Sequence, residues 1–159
     1  MRIEAKLEEM GLSLPEQSAR PGAVQFRFSR VRVRGNRAYI AGHGPASPDG
    51  NPPPRGKVGA DLNLEEGYRA AGLTALSILA SLKRELGDLD RVTAWLRVFG
   101  MVNVAPGFNR TSEVINGFTD LIIDLYGEEA GTHSRSAVGM AELPFNVPVE
   151  IEAEVEIAP

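Results

Sequence analysis

Two side chains in the C-terminal part of the chain could bind and hydrolyse a small molecule. Arg135 precedes a predicted strand, and its guanidinium presents a planar fork of donors that matches a carboxylate bidentately. Glu150 lies in the final predicted strand, where a carboxylate could hold a water molecule and move a proton. Two other interpretations stay open: an ion pair for Arg135 and a solvated surface position for Glu150. The spacing does not separate them, because Glu152, Glu154 and Glu156 share the face of Glu150.

The chain has two histidines and no cysteine. His43 enters a loop rich in proline and glycine, and His133 lies just before Arg135, so either imidazole could act as an acid or base near neutral pH. The alternative is that both histidines simply face solvent. Two histidines without a ligand spacing do not predict a metal site, and the lack of cysteine excludes disulfides and thiolate chemistry. The segment 56–59 lacks the Ser/Thr of a phosphate-binding loop and is interpreted as a turn.

Length and composition favour one globular domain. The chain of 159 residues is long enough to bury a core, so we expect a single domain over 1–159, with 1–21 as an N-terminal helix and loop extension. The net charge of −4 disfavours general nucleic-acid binding. No apolar run could span a membrane, and the N-terminus does not resemble a secretory signal, so the cytoplasm is the predicted compartment.

Hydrophobic periodicity predicts the elements that would position these residues. Period-two alternation with a slip near Ser29 predicts a hairpin around 35–36, with a bulge in its first strand. Asn63 followed by Glu66 is typical of a capping box that begins a long helix, and Gly87 ends that helix. The predicted elements are a helix over 3–10, strands over 26–33 and 38–41, a loop over 43–59, a helix over 64–86, a strand over 91–104, a helix over 111–126, and strands over 136–143 and 147–157.

This order predicts an α+β fold with the element order β-β-α-β-α-β-β after a short N-terminal helix. Two helices would cover one face of a mixed sheet. No further element remains to cover the other face, so the sequence predicts self-association through it.

Several segments carry a recognisable pattern. The segment SRSAVGMAELP at 134–144, followed by VEIEA at 149–153, resembles the C-terminal signature of the RidA/YjgF family, and GN leading to YIAG at 35–42 resembles the first hairpin of that family. The resemblance runs from about residue 22 to the end. Further segments resemble a divergent branch that is labelled chorismate-mutase-like or putative endoribonuclease: GKVG with DL at 56–62, GDLDRV at 87–92, VN through APGF at 102–108, and VING at 114–117.

The resemblance implies a chorismate-mutase-like homotrimer, in which three sheets line an inner barrel and ligands bind in clefts between subunits. Arg135 would hold the carboxylate of an enamine or imine derived from an amino acid, and Glu150 would orient the water that releases ammonia and leaves a 2-oxo acid. Gly42 and Asn116 would line the cleft. No cofactor is implied, because an imine is already electrophilic, and a pyridoxal enzyme would be the upstream source of the substrate.

Three positions depart from the deaminase branch of this family. Phe28 stands where that branch has a tyrosine, Ala41 where it has a serine, and Ala137 where it has a cysteine. Each change removes a polar group from the expected cleft, and His43 could replace the lost hydroxyl. The sequence therefore leaves three functions open: a cofactor-free imine or enamine hydrolase, a non-catalytic protein that binds or senses a small carboxylate, and a chorismate-mutase-like isomerase or endoribonuclease.

Overall fold

The computed structural model describes residues 2–17 and 25–159. Within them, the helices and strands follow the predicted order, which confirms the α+β fold. The elements are α1 (Arg2–Glu9), β1 (Val31–Arg34), β2 (Arg37–His43), α2 (Leu64–Leu86), β3 (Val92–Asn103), α3 (Thr111–Gly131), β4 (Ser134–Met140) and β5 (Val149–Ile157). Among the described residues, no helix combines the length and apolar character needed to cross a membrane.

The five strands form one mixed sheet in the order β1-β2-β5-β3-β4. Strands β3 and β4 are parallel, and the other neighbouring pairs are antiparallel. Along β5 the residues Val149, Ile151 and Val155 are fully buried, whereas the alternating glutamates are not. The buried side chains of the sheet pack against α2 and α3, with β5 against α2 and with β3 and β4 against α3. We call this side of the sheet the helix face and the side that carries Glu150 and Glu152 the open face.

The longest helix, α2, begins and ends as its sequence predicts. The side chain of Asn63 accepts from the backbone N–H of Glu66, and Glu66 accepts in return from the N–H of Asn63. Gly87 ends the helix in the left-handed conformation at φ +81°. Helices α2 and α3 then pack at very short range, since a Cβ added to Gly117 would lie 2.0 Å from the carbonyl oxygen of Tyr68. Only glycine fits at that crossing.

The first hairpin differs from the prediction. Residues 26–29 lie outside the sheet, because β1 begins only at Val31, so the bulge predicted in this segment is wrong. The apolar alternation slips there because the strand has not yet started. The irregular register lies instead in β2, opposite β5, between Ile40 and His43. Strand β2 also runs two residues further than predicted, which places Gly42 and His43 in the strand and not in the loop.

The segment that leads into Arg135 also differs from the prediction. Gly127 interrupts α3 with φ 83° and ψ 170°, as expected for a helix stop, but a further turn continues to Gly131. Strand β4 begins at Ser134 and ends at Met140, because it pairs in parallel with β3 over this length. Arg135 is therefore inside a strand whose backbone is fixed on one side by β3.

Candidate functional site

Arg135 lies on the edge strand β4, and its side chain reaches the helix face against α3. Nη1 donates to the Asn116 Oδ1 at 2.9 Å and to the Thr119 hydroxyl at 3.0 Å. Nη2 donates to the carbonyl oxygen of Ser112 at 3.2 Å. These three acceptors lie on one face of α3, four and three residues apart, as helical geometry requires for neighbours. The sequence singled out Asn116 but not the other two, because only the docking of α3 on β4 brings them to Arg135.

The contacts of Arg135 leave one edge of its guanidinium for a ligand. A guanidinium has five N–H donors, and three are engaged, two on Nη1 and one on Nη2. By this count Nε–H and one N–H of Nη2 remain, and these two nitrogens form the edge of the fork that can bind a carboxylate bidentately. In the described part of the chain, no ion pair involves Arg135. Burial lowers the pKa of Arg135, and Asp120 opposes that shift.

His133 is connected to Arg135 through one hydroxyl group. Its Nε2 lies 3.0 Å from the Thr119 oxygen, which is also the acceptor for Arg135. Its Nδ1 lies 2.8 Å from the carbonyl oxygen of Gly131. Burial lowers the pKa of His133, the hydrogen bond to Gly131 opposes that shift, and the charge of Arg135 adds to it.

Glu150 lies on β5 next to Gly42 on β2. A Cβ added to Gly42 would lie 3.0 Å from Cδ and from Oε2 of Glu150, so the absence of a side chain lets the carboxylate lie against the strand. Burial raises the pKa of Glu150, and the neighbouring charge of Glu152 adds to the rise. A carboxyl group with a raised pKa is suited to accept and return a proton near neutral pH.

Arg135 and Glu150 lie on opposite faces of the sheet. Arg135 is level with Val98 on β3, which pairs with Ala153 on β5, and both of these belong to the helix-face core. Glu150 pairs with Met101 on the open face. Two strand spacings and an offset of three residues place the Cα atoms of Arg135 and Glu150 about 14 Å apart. With the sheet between them, the two groups of one copy cannot contact the same small ligand.

His43 is buried, with 5% of its surface exposed. Its Nδ1 lies 2.6 Å from the carbonyl oxygen of Ala41, and its Nε2 lies 2.8 Å from the Ser81 hydroxyl. Burial lowers the pKa of His43, the hydrogen bond to Ala41 opposes this, and the charges of Arg30 and Arg84 lower it further. The imidazole therefore connects the irregular part of β2 to α2.

The structure brings six of the eight predicted site residues into two groups and leaves Phe28 and His43 outside them. Ala137 lies two residues after Arg135 on β4, and its carbonyl oxygen accepts from the Thr111 hydroxyl at 3.2 Å. Phe28 lies before β1 and is 54% exposed, with its ring centroid 5.4 Å from that of Phe26. The group on the helix face contains Arg135, Asn116 and Ala137, and the group around β2 contains Gly42, Glu150 and the adjacent Ala41.

A cavity of about 710 Å³ lies beside Gly42 and His43. Its wall is formed mainly by the loop 44–55, which has no helix or strand, as predicted, and by Arg30 and Phe145. The cavity reaches β2 at Gly42 and His43 and α2 at Ser77, and Glu150 is not among the residues that line it.

Comparisons with known proteins cover almost the whole chain. The family model described as "YjgF/chorismate mutase-like, putative endoribonuclease" matches residues 4–153, a range that contains all of the predicted site residues. The chain is 37% identical to Protein TCP17 of Trypanosoma cruzi over 156 residues, which are 98% of this chain and 94% of that protein.

Two solved structures resemble the fold closely. Protein Atu1372 of Agrobacterium tumefaciens is 39% identical, with a TM-score of 0.86 over 98% of this chain and 92% of that one. An endoribonuclease, named as putative, of Shewanella oneidensis MR-1 is 29% identical, with a TM-score of 0.89 over 99% of this chain and 100% of that one. Their strand and helix arrangement is therefore shared along nearly the full length of this chain.

Proposed function

Because the chain belongs to the YjgF/chorismate mutase-like, putative endoribonuclease family, we propose that it is a cofactor-free deaminase that hydrolyses imine and enamine derivatives of amino acids. Membership in this family supports a small-molecule deaminase or an endoribonuclease-like role. The substrate we propose is a 2-imino acid or its enamine tautomer, and the products are a 2-oxo acid and ammonia.

The observation that carries this proposal is the environment of Arg135. Its guanidinium is held by three neutral oxygen acceptors, and two adjacent donors remain for a ligand. A half-buried cation with neutral partners gains more from an incoming anion than one that already has a carboxylate partner. The planar edge selects a carboxylate, which is the group that all 2-imino acids share.

We further propose that the site is formed by two copies of the chain in a homotrimer. Arg135 and Glu150 lie on opposite faces of one sheet, so a ligand that contacts both must lie between copies. The open face supports this arrangement, since it exposes Tyr39 by 43% and also carries the partly buried Phe99. Contact between open faces would remove this apolar surface from water. A scattering mass of one subunit at micromolar concentration would exclude the trimer.

The proposed reaction needs only water and the side chains of two copies. Arg135 of one copy holds the substrate carboxylate, and Glu150 of another accepts a hydrogen bond from a water molecule beside the imine carbon. The water oxygen adds to the C=N carbon while its proton passes to Glu150. Glu150 returns this proton to the nitrogen, which gives a carbinolamine. The proton of the new hydroxyl group then passes through Glu150 to the same nitrogen, so the C–N bond breaks and ammonia leaves as the C=O bond of the 2-oxo acid forms. The raised pKa of Glu150 strengthens its carboxylate as the base that accepts the proton from water.

A second candidate is a protein that binds small carboxylates without catalysis. The side chains of Phe28, Ala41 and Ala137 supply no polar group, so Glu150 alone among the predicted residues near Gly42 could hold the water. An endoribonuclease is less well supported by the composition, because the net charge of −4 disfavours binding of a phosphate backbone.

The test is hydrolysis of 2-imino acids that an amino-acid oxidase generates in the assay, followed by release of ammonia. We expect the wild type to accelerate release above the buffer rate. Glu150→Gln keeps the shape but removes the charge, so it should lower hydrolysis far more than it lowers the affinity for 2-oxo acids. If no imino acid is hydrolysed above the buffer rate while 2-oxo acids still bind, the binding protein is the correct function.

A further inference from the structure

The hydrogen bonds between Arg135 and His133 have a defined direction. Because the carbonyl oxygen of Gly131 can only accept, Nδ1 of His133 carries a proton and donates to it. Nε2 of the neutral ring is then an acceptor, and the Thr119 hydroxyl donates to it over 3.0 Å. The Thr119 oxygen keeps its lone pairs for Nη1 of Arg135, also at 3.0 Å. Neutral His133 therefore makes Thr119 an acceptor for Arg135.

We propose that Thr119 and His133 are positioning residues that couple carboxylate binding at Arg135 to proton uptake by His133. The inference rests on the proposed function, since it requires that Arg135 binds a carboxylate. It adds a regulatory property to the site, because ligand binding would become tighter as the pH falls.

Protonation of His133 changes the role of Thr119. Nε2 then becomes a donor, so the Thr119 oxygen has to accept from two cations, and its own proton must turn elsewhere. The imidazolium and the guanidinium also repel each other across a single oxygen atom. A carboxylate on the free edge of Arg135 offsets that repulsion, so the complex tolerates a protonated His133 better than the free protein does.

The sign of the linkage follows from this difference. Burial, and after it the charge of Arg135, lowers the pKa of His133 in the free protein, against the hydrogen bond to Gly131. A bound carboxylate raises that pKa again. Affinity should be constant above the pKa of the complex, rise as the pH falls through the window between the two pKa values, and level off below the pKa of the free protein.

Among the charged groups of the described residues, Arg135 is the one whose charge shifts the pKa of His133. On α3, Asp120 acts on Arg135, and Glu128 in the last turn is exposed. On β3, the nearest charged side chain, Arg97, is exposed and lies on the open face beside Glu152 and Glu154. Among the described residues, Arg135 is therefore the cation whose neutralisation His133 would sense most strongly.

The first test measures pyruvate affinity by calorimetry from about pH 8 to about pH 5.5, where we expect a roughly three- to tenfold increase as the pH falls. His133→Gln keeps an acceptor but cannot titrate, so its affinity should no longer rise as the pH falls. Because Glu150 could also contribute to the pH dependence, pyruvate affinity is measured over the same pH range in Glu150→Gln, where it should still rise as the pH falls. Thr119→Val should weaken binding at every pH, and Thr119→Ser should restore it.

The second test follows the His133 imidazole by NMR, which is simplified because the chain has only two histidines. Arg135→Met removes the cation and should raise the pKa of His133 without any ligand, and saturating pyruvate should do the same in the wild type. Two results would overturn this inference and leave the proposed function intact. One is pyruvate affinity that depends on pH in His133→Gln as it does in the wild type. The other is a pKa of His133 that is the same in Arg135→Met as in the wild type. No pyruvate binding at any pH would overturn the proposed function and the inference together.

Discussion

Replacement of Arg135 tests the carboxylate site with little risk to the fold. The side chain lies on an edge strand and is only partly buried. Arg135→Ala removes hydrogen bonds to Asn116, Thr119 and Ser112, all near the surface of α3. We expect these acceptors to bind water in the variant, so the free energy of unfolding should change by less than about 1 kcal/mol.

The loss of ligand affinity can be worked out from the donors of Arg135. Two donors remain after three are engaged, and each hydrogen bond to a charged group is worth about 1.5–3 kcal/mol. After desolvation of the guanidinium, the expected loss is about 2–5 kcal/mol, which weakens binding by about 30-fold or more. Arg135→Lys keeps the charge but not the planar edge, so it should recover only part of the loss.

Calorimetry with pyruvate and a second 2-oxo acid measures this loss. Arg110→Ala is the matched control, because it removes the same charge from the start of α3, the helix that Arg135 contacts, where Arg110 pairs with Glu113 on the surface. That variant should bind as the wild type does. Equal affinities of Arg135→Ala and Arg110→Ala would refute the assignment of Arg135 as the carboxylate anchor.

Three further changes test the packing around the site. Gly42→Ala places a methyl group 3.0 Å from the Glu150 carboxylate. The rate of imine hydrolysis should therefore fall by about fivefold or more, with little change in 2-oxo acid affinity. An unchanged rate would contradict this geometry. Burial lowers the pKa of His43 below its value in the unfolded chain, so the unfolded state binds more protons and the free energy of unfolding falls as the pH drops below about 6.5. Urea melts should show a weaker fall with pH in His43→Gln than in the wild type. Gly117→Ala should lower the free energy of unfolding by about 2 kcal/mol or more in urea melts, because its methyl group would overlap the Tyr68 carbonyl, and a variant as stable as the wild type would count against the close helix packing.

Local signals in the sequence were enough to predict the order of the elements. The capping box of Asn63 and Glu66 and the left-handed Gly87 act within a few residues, so they determine the bounds of α2 wherever it packs. The β1 strand was predicted too long, because alternation in 26–29 continues outside the sheet, and sheet pairing is not a local property. The single domain, the homotrimer and the cytoplasmic location stay predictions.

The surroundings of the site depend on contacts between distant segments. Nothing near Arg135 in the sequence indicates that Thr119 and Ser112 accept from it, because those contacts arise only when α3 packs on the helix face of β4. His43 was expected at a loop entrance, where an imidazole usually meets solvent. The irregular register of β2 turns it toward Ser81 on α2 and buries it instead.

The central claim is that Arg135 and Glu150 of different copies form one site, and mixed oligomers test it directly. Arg135→Ala and Glu150→Gln, carried on differently tagged chains and co-expressed, should each be inactive alone as homo-oligomers. In purified mixed trimers, Glu150→Gln copies supply the arginine and Arg135→Ala copies supply the glutamate, so imine hydrolysis should be restored at about one site in three. Mixed oligomers that contain both tags but hydrolyse no faster than either variant alone would contradict a site shared between copies.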